Sequence, residues 1–168
     1  KSLYIYGGKE RNILRKTALT GLASEICDKV FSDTPIINNE AINKNEITSV
    51  ANTSRSKIIA GLLRNKLEPN LGLTGTGQEV SIMRSTLLRK EVLIDDELGT
   101  RVNLSPSDDK MKNVLDVIVT FVMNAKKSGQ VSFTQLYEKL VSPKYHIGLR
   151  NGVIPIYIAA VFNKFHED

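Results

Sequence analysis

The feature that most constrains this chain is a run near its C-terminus, residues 152–165, that is apolar on nearly every side. Its apolar residues include Val153, Ile154, Ile156, Ile158 and Val161. A helix that is hydrophobic all round must be buried. Because the chain stops soon afterwards at Asp168, we expect little to be left to cover this helix. We therefore predict a piece of a larger protein, and a start at Lys1 rather than Met agrees with that prediction.

The composition predicts a globular chain with an aliphatic core. Of its 168 residues, 41% are hydrophobic and only 6% are aromatic, with no Trp. That length is enough for one domain or two small ones. The net charge of +5 is mildly basic, below the clustered excess typical of a dedicated nucleic-acid binder. The longest strongly apolar run, residues 153–162, is about half of the ~20 residues that a membrane span needs, so no membrane partner is expected.

The single cysteine, Cys27, predicts a reducing, cytoplasmic location, because one thiol cannot form an intramolecular disulfide. We interpret it as a small buried side chain rather than a nucleophile, since both histidines, His146 and His166, are distant in sequence. One Cys and two His cannot complete a tetrahedral zinc site without carboxylates. No catalytic residue, cofactor or metal is therefore predicted. A small hydrolase using Cys27 or His146 would require those two side chains to meet in space.

Residues 1–104 predict helices framed by two hairpins. The pair Gly7-Gly8 supplies the positive φ of a tight hairpin turn, and apolar residues at three- and four-residue spacing indicate amphipathic helices. Thr76 and Glu79 have the spacing of a helix capping box. The Asn-rich stretch 36–45 is compatible with a short helix around residues 39–43. The predicted elements are a hairpin over 3–14, helices over 19–31, 46–66 and 77–88, and a hairpin over 92–104.

Residues 105–168 predict helices without a hairpin. Ser105 is the expected cap of the first, with Pro106 at its first helical position, and Gly129 ends it. A second capping box, Ser132 with Gln135, begins a helix over residues 133–141. The whole chain is thus predicted as mainly α with short β-hairpins. From element order alone we assign a winged-helix-like domain, a helix-turn-helix variant, to 1–104 and a truncated helical, winged-helix-like unit to 105–168.

Two groups of residues carry the possible binding sites. The glycines Gly72, Gly75 and Gly77 precede a helix, but a Walker A motif requires Gly-Lys-Ser/Thr where this chain has Gly-Gln-Glu, so nucleotide binding is not expected. Lys and Arg neutralise phosphates and release counterions, which is the usual source of DNA affinity. The predicted nucleic-acid-binding residues are Arg55, Lys57, Arg64, Lys66, Gln78, Arg84, Arg89 and Lys90. The alternative is a solvated helix face, favoured by the lack of interleaved aromatics.

Two runs resemble a known family. Residues 34–45, followed by Ser54-Arg55 and residues 72–88, resemble a region of large bacterial P-loop ATPases of BREX-type phage-exclusion and related defence systems. Residues 142–155 are similar to a Pro-Pro-Tyr-Gly-Leu-Arg-x-Gly-x-Ile-Pro pattern in the same proteins. In this chain Lys144 replaces the second Pro, and His146-Ile147 adds to the spacing. The resemblance covers about residues 20–88 and 132–160, and it implies an accessory region outside the nucleotide-binding core.

Two functional hypotheses follow from these observations. The first is a non-catalytic interaction module of a larger AAA-like P-loop ATPase, which contacts its other domains or partner subunits and also duplex DNA. The second is a stand-alone winged-helix transcriptional regulator. The two differ in whether affinity for duplex DNA is strong, salt-dependent and sensitive to changes at Arg84 and Arg89.

Overall fold

A computed structural model describes residues 3–165, and this part of the chain is mainly helical with two antiparallel hairpins. The mainly α prediction with short hairpins is thereby confirmed, whereas His166 lies outside the described residues. Short 3₁₀ turns span Pro69–Gly72 and Pro143–Tyr145, and a π-helical turn spans Arg84–Leu88. The elements are β1 (Tyr4–Tyr6), β2 (Lys9–Arg11), α1 (Lys16–Val30), α2 (Ser49–Leu62), α3 (Gln78–Met83), β3 (Leu93–Asp96), β4 (Gly99–Val102), α4 (Asp109–Ser128), α5 (Phe133–Val141) and α6 (Ile154–Phe165).

The contacts within the chain divide it into two compact units, Lys1–Ser32 and Asp33–Asp168. The sequence had predicted a boundary after Leu104 instead. In the structure, Val102 before that point and Met111 after it are buried in the same hydrophobic core. The second unit therefore contains the hairpin β3–β4 together with α2 to α6.

In the first unit, β1 and β2 form the predicted hairpin, with Tyr4 opposite Arg11 and Tyr6 opposite Lys9. Both turn glycines have the positive φ that the turn requires, 58° at Gly7 and 73° at Gly8. The Tyr6 ring lies beneath the Lys29 ammonium at 5.6 Å, a cation–π distance. The hairpin of this small unit is therefore joined to α1 by a contact between side chains at the surface.

Helix α1 forms where the periodicity predicts it, but none of its residues is buried. Cys27 is exposed, so the prediction of a buried thiol was wrong. Leu19, on the expected apolar stripe, is 37% exposed. Amphipathic spacing indicates a helix and its apolar face, but it cannot guarantee that another element of the same unit covers that face.

In the second unit, α6 lies at the centre of the core. It packs against α2, α4 and β4, and Ile154, Ile156, Tyr157 and Val161 are fully buried. The expectation that little would cover this helix was wrong. Elements that precede it by many residues enclose it, and a linear reading of the chain could not place them there.

The approach to α6 is held by a second segment that is distant in sequence. Residues 33–45 lie beside residues 146–152, and four backbone N–H groups connect the two runs. Asp33 donates to the His146 carbonyl at 3.0 Å, and Gly152 donates to the Lys44 carbonyl at 2.8 Å. Gly148 donates to Thr34 Oγ1 at 2.7 Å and Asn151 to Asn45 Oδ1 at 3.3 Å. Residues 33–45 and 146–152, which overlap the two runs that resemble a known family, thus form one hydrogen-bonded scaffold.

The Asn-rich stretch forms turns rather than the short helix considered around residues 39–43. Asn39 Oδ1 accepts from the Ala41 N–H at 3.1 Å, and Asn43 Nδ2 donates to the Ile37 carbonyl at 3.1 Å. Such side-chain bonds offer the backbone an alternative to helical bonding. The asparagine side chains therefore hydrogen-bond backbone groups of a turn in which Ile42 is completely buried.

The helix caps agree with the sequence at one of three predicted starts. Ser132 caps α5 and accepts from the Thr134 N–H, as predicted. Helix α3 begins after Gly77 without a side-chain cap, so the Thr76 cap was wrong. Helix α4 is capped by Asp108 rather than Ser105, which displaces Pro106 from the helix. At α4 the cap lies three residues later than predicted, whereas the capping position of α3 is a glycine that has no side chain to cap it.

Replacing Gly152 with Ala should destabilise the second unit. A Cβ at this position would overlap the Ile42 carbonyl oxygen and lie 2.9 Å from the Lys44 carbonyl oxygen. Because both are backbone atoms, relief requires separating the two runs, and we expect the free energy of unfolding to fall by about 3 kcal/mol. Urea denaturation followed by circular dichroism measures the change.

The matched control is Gly75→Ala. Gly75 has a φ of 78°, but a Cβ at this position would have no heavy atom within 4 Å, so only backbone strain of about 1 kcal/mol is expected. Equal losses in the two variants would show that close packing at Gly152 is unimportant.

Candidate functional site

The predicted basic residues fall into two groups, of which the first already binds protein atoms. Arg55 donates from Nη1 to the Gly152 carbonyl at 3.2 Å and from Nη2 to Asn52 Oδ1 at 2.7 Å. The guanidinium is therefore occupied in holding the turn before α6. The sequence predicts Arg55 as a nucleic-acid-binding residue, whereas in the structure its guanidinium bonds the Gly152 carbonyl before α6.

Lys57 also has a protein partner, because its ammonium bonds Glu79 Oε1 at 2.8 Å. The Lys57 hydrogen bond, together with a backbone N–H, lowers the pKa of the Glu79 carboxyl. A carboxylate that stays ionised at the start of α3 opposes the binding of another anion there. This arrangement agrees with the expectation that the loop with Gly72, Gly75 and Gly77 does not hold a nucleotide.

Arg64 and Lys90 form the remaining ion pairs of this group. Arg64 pairs with Glu68 one turn further along, and both side chains are about half exposed. Lys90 bonds Asp108 Oδ2 at 3.0 Å, with only 18% of its own side chain exposed. Surface pairs of the Arg64 kind contribute little to stability, but they reduce the positive charge available to a phosphate backbone.

The second group, Lys66, Arg84 and Arg89, is exposed. Within residues 3–165, no carboxylate pairs with any of the three. Gln78 is half-buried, and its Oε1 accepts from the Ser54 hydroxyl at 3.4 Å. The cations available to an external anion are therefore fewer than the sequence predicted.

A π-helical turn brings Arg84 and Arg89 to one face of the helix that continues from α3. The Arg89 N–H donates to the Arg84 carbonyl at 2.9 Å, a five-residue bond that places one backbone position above the other. In a regular α-helix, residues five apart would point about 140° away from each other. Such π turns are frequent at functional sites.

Hydroxyl groups account for the wide turn. Thr86 Oγ1 donates to the Ile82 carbonyl at 2.7 Å, and Ser85 Oγ lies within hydrogen-bonding distance of the Ser81 and Ile82 carbonyls, at 2.9 and 3.0 Å. Because a side-chain donor satisfies the Ile82 carbonyl, the backbone can give up its regular α-helical bonding. The Tyr157 hydroxyl of α6 donates to the Thr86 carbonyl at 3.2 Å. The core helix therefore supports the turn that presents Arg84 and Arg89.

The hairpin β3–β4 stands beside a small basic cavity. Leu98 at its tip is 87% exposed, and Arg101 binds Asp96 through both guanidinium nitrogens at 2.7 and 2.8 Å. The cavity has a volume of about 400 Å³ and includes Lys66 and Lys164 in its lining. Two positive charges, on Lys66 and Lys164, therefore lie close to the hairpin.

An apolar groove that sequence reasoning missed lies between α4, α5 and the end of α6. Its volume is about 610 Å³, and it is lined mainly by Leu63, Phe121, Val131, Phe133, Phe162 and Phe165. Leu63 is 46% exposed and Phe133 is 45% exposed. The signal available in the sequence was the clustering of four of its five phenylalanines in the helices near the C-terminus.

The remaining sequence hypotheses concern cysteine, histidine and metals. Cys27 belongs to the first compact unit and His146 to the second. His146 adopts a left-handed backbone with φ of 57° and closes the 3₁₀ turn before residue 147.

Among residues 3–165 there is no cluster of His, Cys, Asp and Glu able to hold a metal ion. In the same range, no helix is both long enough and apolar enough to cross a membrane.

Comparisons with known proteins return no match for this chain among protein-family models, curated proteins or solved structures.

Replacing Asp108 separates its two roles. Its carboxylate caps α4 through the Lys110 and Met111 N–H groups and pairs with Lys90. Asp108→Ala should lower the free energy of unfolding by about 1–2 kcal/mol, because it removes both the cap and the pair with Lys90. Asp108→Asn keeps the cap and loses only the charge, so we expect a smaller loss, up to about 1 kcal/mol. Urea denaturation at pH 7 measures both.

The same variants give a test by pH. Burial alone would raise the pKa of Asp108, but the bonds from Lys90 and the two N–H groups outweigh it and lower that pKa. The stabilisation by the charge is therefore present above the unfolded pKa of about 3.9. It is lost as the pH falls through the lower folded pKa. A stability difference between wild type and Asp108→Asn that persists unchanged in acid would contradict this assignment.

Proposed function

We propose that this chain is a non-catalytic interaction module of a larger AAA-like P-loop ATPase of the phage-defence type. It contacts neighbouring domains or partner subunits, and the nucleotide is hydrolysed elsewhere in the assembly. The single observation that carries the proposal is the apolar groove, where Leu63 and Phe133 stand nearly half exposed. Exposed aromatic and aliphatic clusters of this kind typically mark protein interaction sites.

The scaffold formed by the two familiar runs supports the same proposal. Residues 33–45 and 146–152 bond each other and position α6. Arg55 is also committed to this junction through its bond to Gly152. The residues of these two runs are therefore engaged in packing within the chain, which supports an accessory role for it.

We further propose that residues 33–104 are winged-helix-like. Helix α2, helix α3 and the hairpin β3–β4 follow one another in the order of a helix-turn-helix pair and its wing. Helix α1, which the sequence had assigned to this arrangement, belongs to the other compact unit. In the described part of residues 105–168, α4, α5 and α6 occur without a strand, as proposed for a truncated unit.

The proposal is tested in the intact protein. We expect the coding sequence around this chain to contain Walker A and Walker B motifs, and the isolated chain to hydrolyse no ATP. In the intact protein, Leu63→Ser with Phe162→Ser should abolish phage protection and leave the ATPase rate unchanged, because the groove lies outside the motor. Phage plating and phosphate release measure the two effects.

Leu98→Ser serves as the control for the loss of an exposed apolar side chain, since Leu98 lies at the hairpin tip and not in the groove. A complete reading frame without a P-loop, or robust ATP hydrolysis by the chain alone, would refute the proposal.

The second candidate is a winged-helix regulator that binds duplex DNA by itself. It is favoured by the π turn that aligns Arg84 and Arg89 on the exposed side of the helix preceding the hairpin. In winged-helix proteins that helix enters the major groove. Ser81 is exposed one turn earlier and extends the same polar surface.

The double variant Arg84→Glu with Arg89→Glu tests this candidate. If both guanidinium groups contact phosphates, their loss should weaken binding and reduce the log–log salt slope by about 2, since each contact contributes about −0.9. Fluorescence anisotropy of a labelled duplex across a salt series measures both quantities.

Lys110→Glu with Lys112→Glu makes the same charge change on exposed positions of α4 and is the matched control. Equal losses in the two double variants would indicate a general charge effect and eliminate the specific surface.

A further inference from the structure

We infer that the apolar groove between α4, α5 and α6 binds an amphipathic α-helix whose apolar stripe is flanked by acidic residues. This inference rests on the proposed interaction function and names the class of its partner. Three observations support it: the aromatic side chains of the groove wall, the positive charges near the groove, and backbone groups that are already hydrogen-bonded within helices.

The groove wall is built from aromatic side chains of three helices. The rings of Phe121 on α4 and Phe133 on α5 lie 5.4 Å apart between centroids. Phe165 of α6 lies beneath the Lys126 ammonium at 5.4 Å. A volume of about 610 Å³ accommodates several large apolar side chains from one face of a partner.

The segments that line the groove carry charge of one sign. Residues 60–66, 118–134 and 158–165 contain no Asp or Glu. Their charged residues are Arg64, Lys66, Lys126, Lys127 and Lys164. Lys126 lines the groove itself, with Lys127 next to it in sequence, whereas Lys66 and Lys164 line the cavity beside the hairpin. Arg64 pairs with Glu68, which lies just beyond the first segment, whereas the lysines have no carboxylate partner among the described residues. Complementarity therefore selects a partner with acidic residues beside its apolar ones.

The backbone of the groove favours a helical partner over an extended one. Phe121, Phe133 and Phe162 lie within helices, where backbone groups bond one another. No strand of the described chain contributes to the lining, so an extended peptide would find no sheet edge for its own N–H and C=O groups. A helix satisfies those groups internally and presents apolar residues at i, i+3, i+4 and i+7.

Two other occupants fit the groove less well. Small-molecule sites bury most of their ligand, whereas this groove is an open surface on which Phe162 is 37% exposed. A second copy of the same face would bring two sets of lysines together, because symmetric interfaces join identical patches. Like-charge contact of that kind opposes association.

The test uses synthetic 18-residue helical peptides that each contain one Trp. Since the chain has no Trp, the peptide fluorescence reports binding without background. The first peptide has leucines at i, i+3, i+4 and i+7 with flanking glutamates. The second replaces each Glu with Lys, and the third keeps the first composition but distributes the leucines around the helix. We expect saturable binding of the first alone, with a Kd on the order of 10 μM.

Two protein variants locate the binding surface. Leu63→Ser with Phe162→Ser should weaken binding of the acidic peptide at least about tenfold, the factor for loss of well-packed apolar contacts. Lys126→Glu with Lys127→Glu should weaken it most at low salt, since screening removes the charge contribution. Leu98→Ser and Lys110→Glu with Lys112→Glu are the matched controls and should bind as wild type. Circular dichroism confirms that each variant is folded.

The inference is overturned if none of the peptides binds, if the lysine peptide binds as well as the acidic one, or if the groove variants bind unchanged. Binding of a dodecyl-chain detergent monomer without the acidic peptide would assign the groove to a small apolar ligand, and concentration-dependent dimerisation that the groove variants abolish would assign it to a second copy. Both results also overturn it. Failure here leaves the P-loop test of the parent protein unaffected, so the two proposals can fail separately.

Discussion

Burial of α6 is the constraint on which the rest of the second unit depends. This helix has almost no polar side, and its fully buried residues require cover in several directions. Helices α2 and α4 and strand β4 supply that cover. Two polar side chains of α6 are satisfied within the core. Asn163 Nδ2 donates to the Leu62 carbonyl at 2.8 Å, at the end of α2, and Tyr157 donates to Thr86. The helix therefore organises both apolar packing and the ends of its neighbours.

The same helix connects the two candidate surfaces of the molecule. Through Tyr157 it supports the π turn with Arg84 and Arg89, and its last turn contributes Phe162 and Phe165 to the apolar groove. A basic surface and an apolar groove recognise partners in different ways. The positive charges attract phosphates over a distance, whereas apolar side chains contribute only in close contact. The proposed function uses both surfaces, the groove for a protein partner and the basic surface for duplex DNA, and it assigns no catalytic group to this chain.

Local signals in the sequence predicted most of the elements but only part of the candidate site. The helix Phe133–Val141 and both hairpins were predictable, because capping residues and Gly turns act over a few residues. The roles of Arg55, Lys57 and Lys90 were not predictable. Their partners, Gly152, Glu79 and Asp108, are separated from them by 97, 22 and 18 residues. The groove was missed for the same reason, since its phenylalanines come from three different helices.

By itself the sequence determined that this chain is mainly helical, that it has two tight hairpins and that its last helix must be buried. These properties follow from periodicity, turn residues and apolar content, all of which act locally. Only the tertiary structure decided which elements bury α6, which cations form no ion pair with a carboxylate and which apolar side chains stay exposed. Those outcomes depend on contacts between residues far apart in the chain, such as Gly152 with Lys44 and Arg55, and no local pattern specifies them.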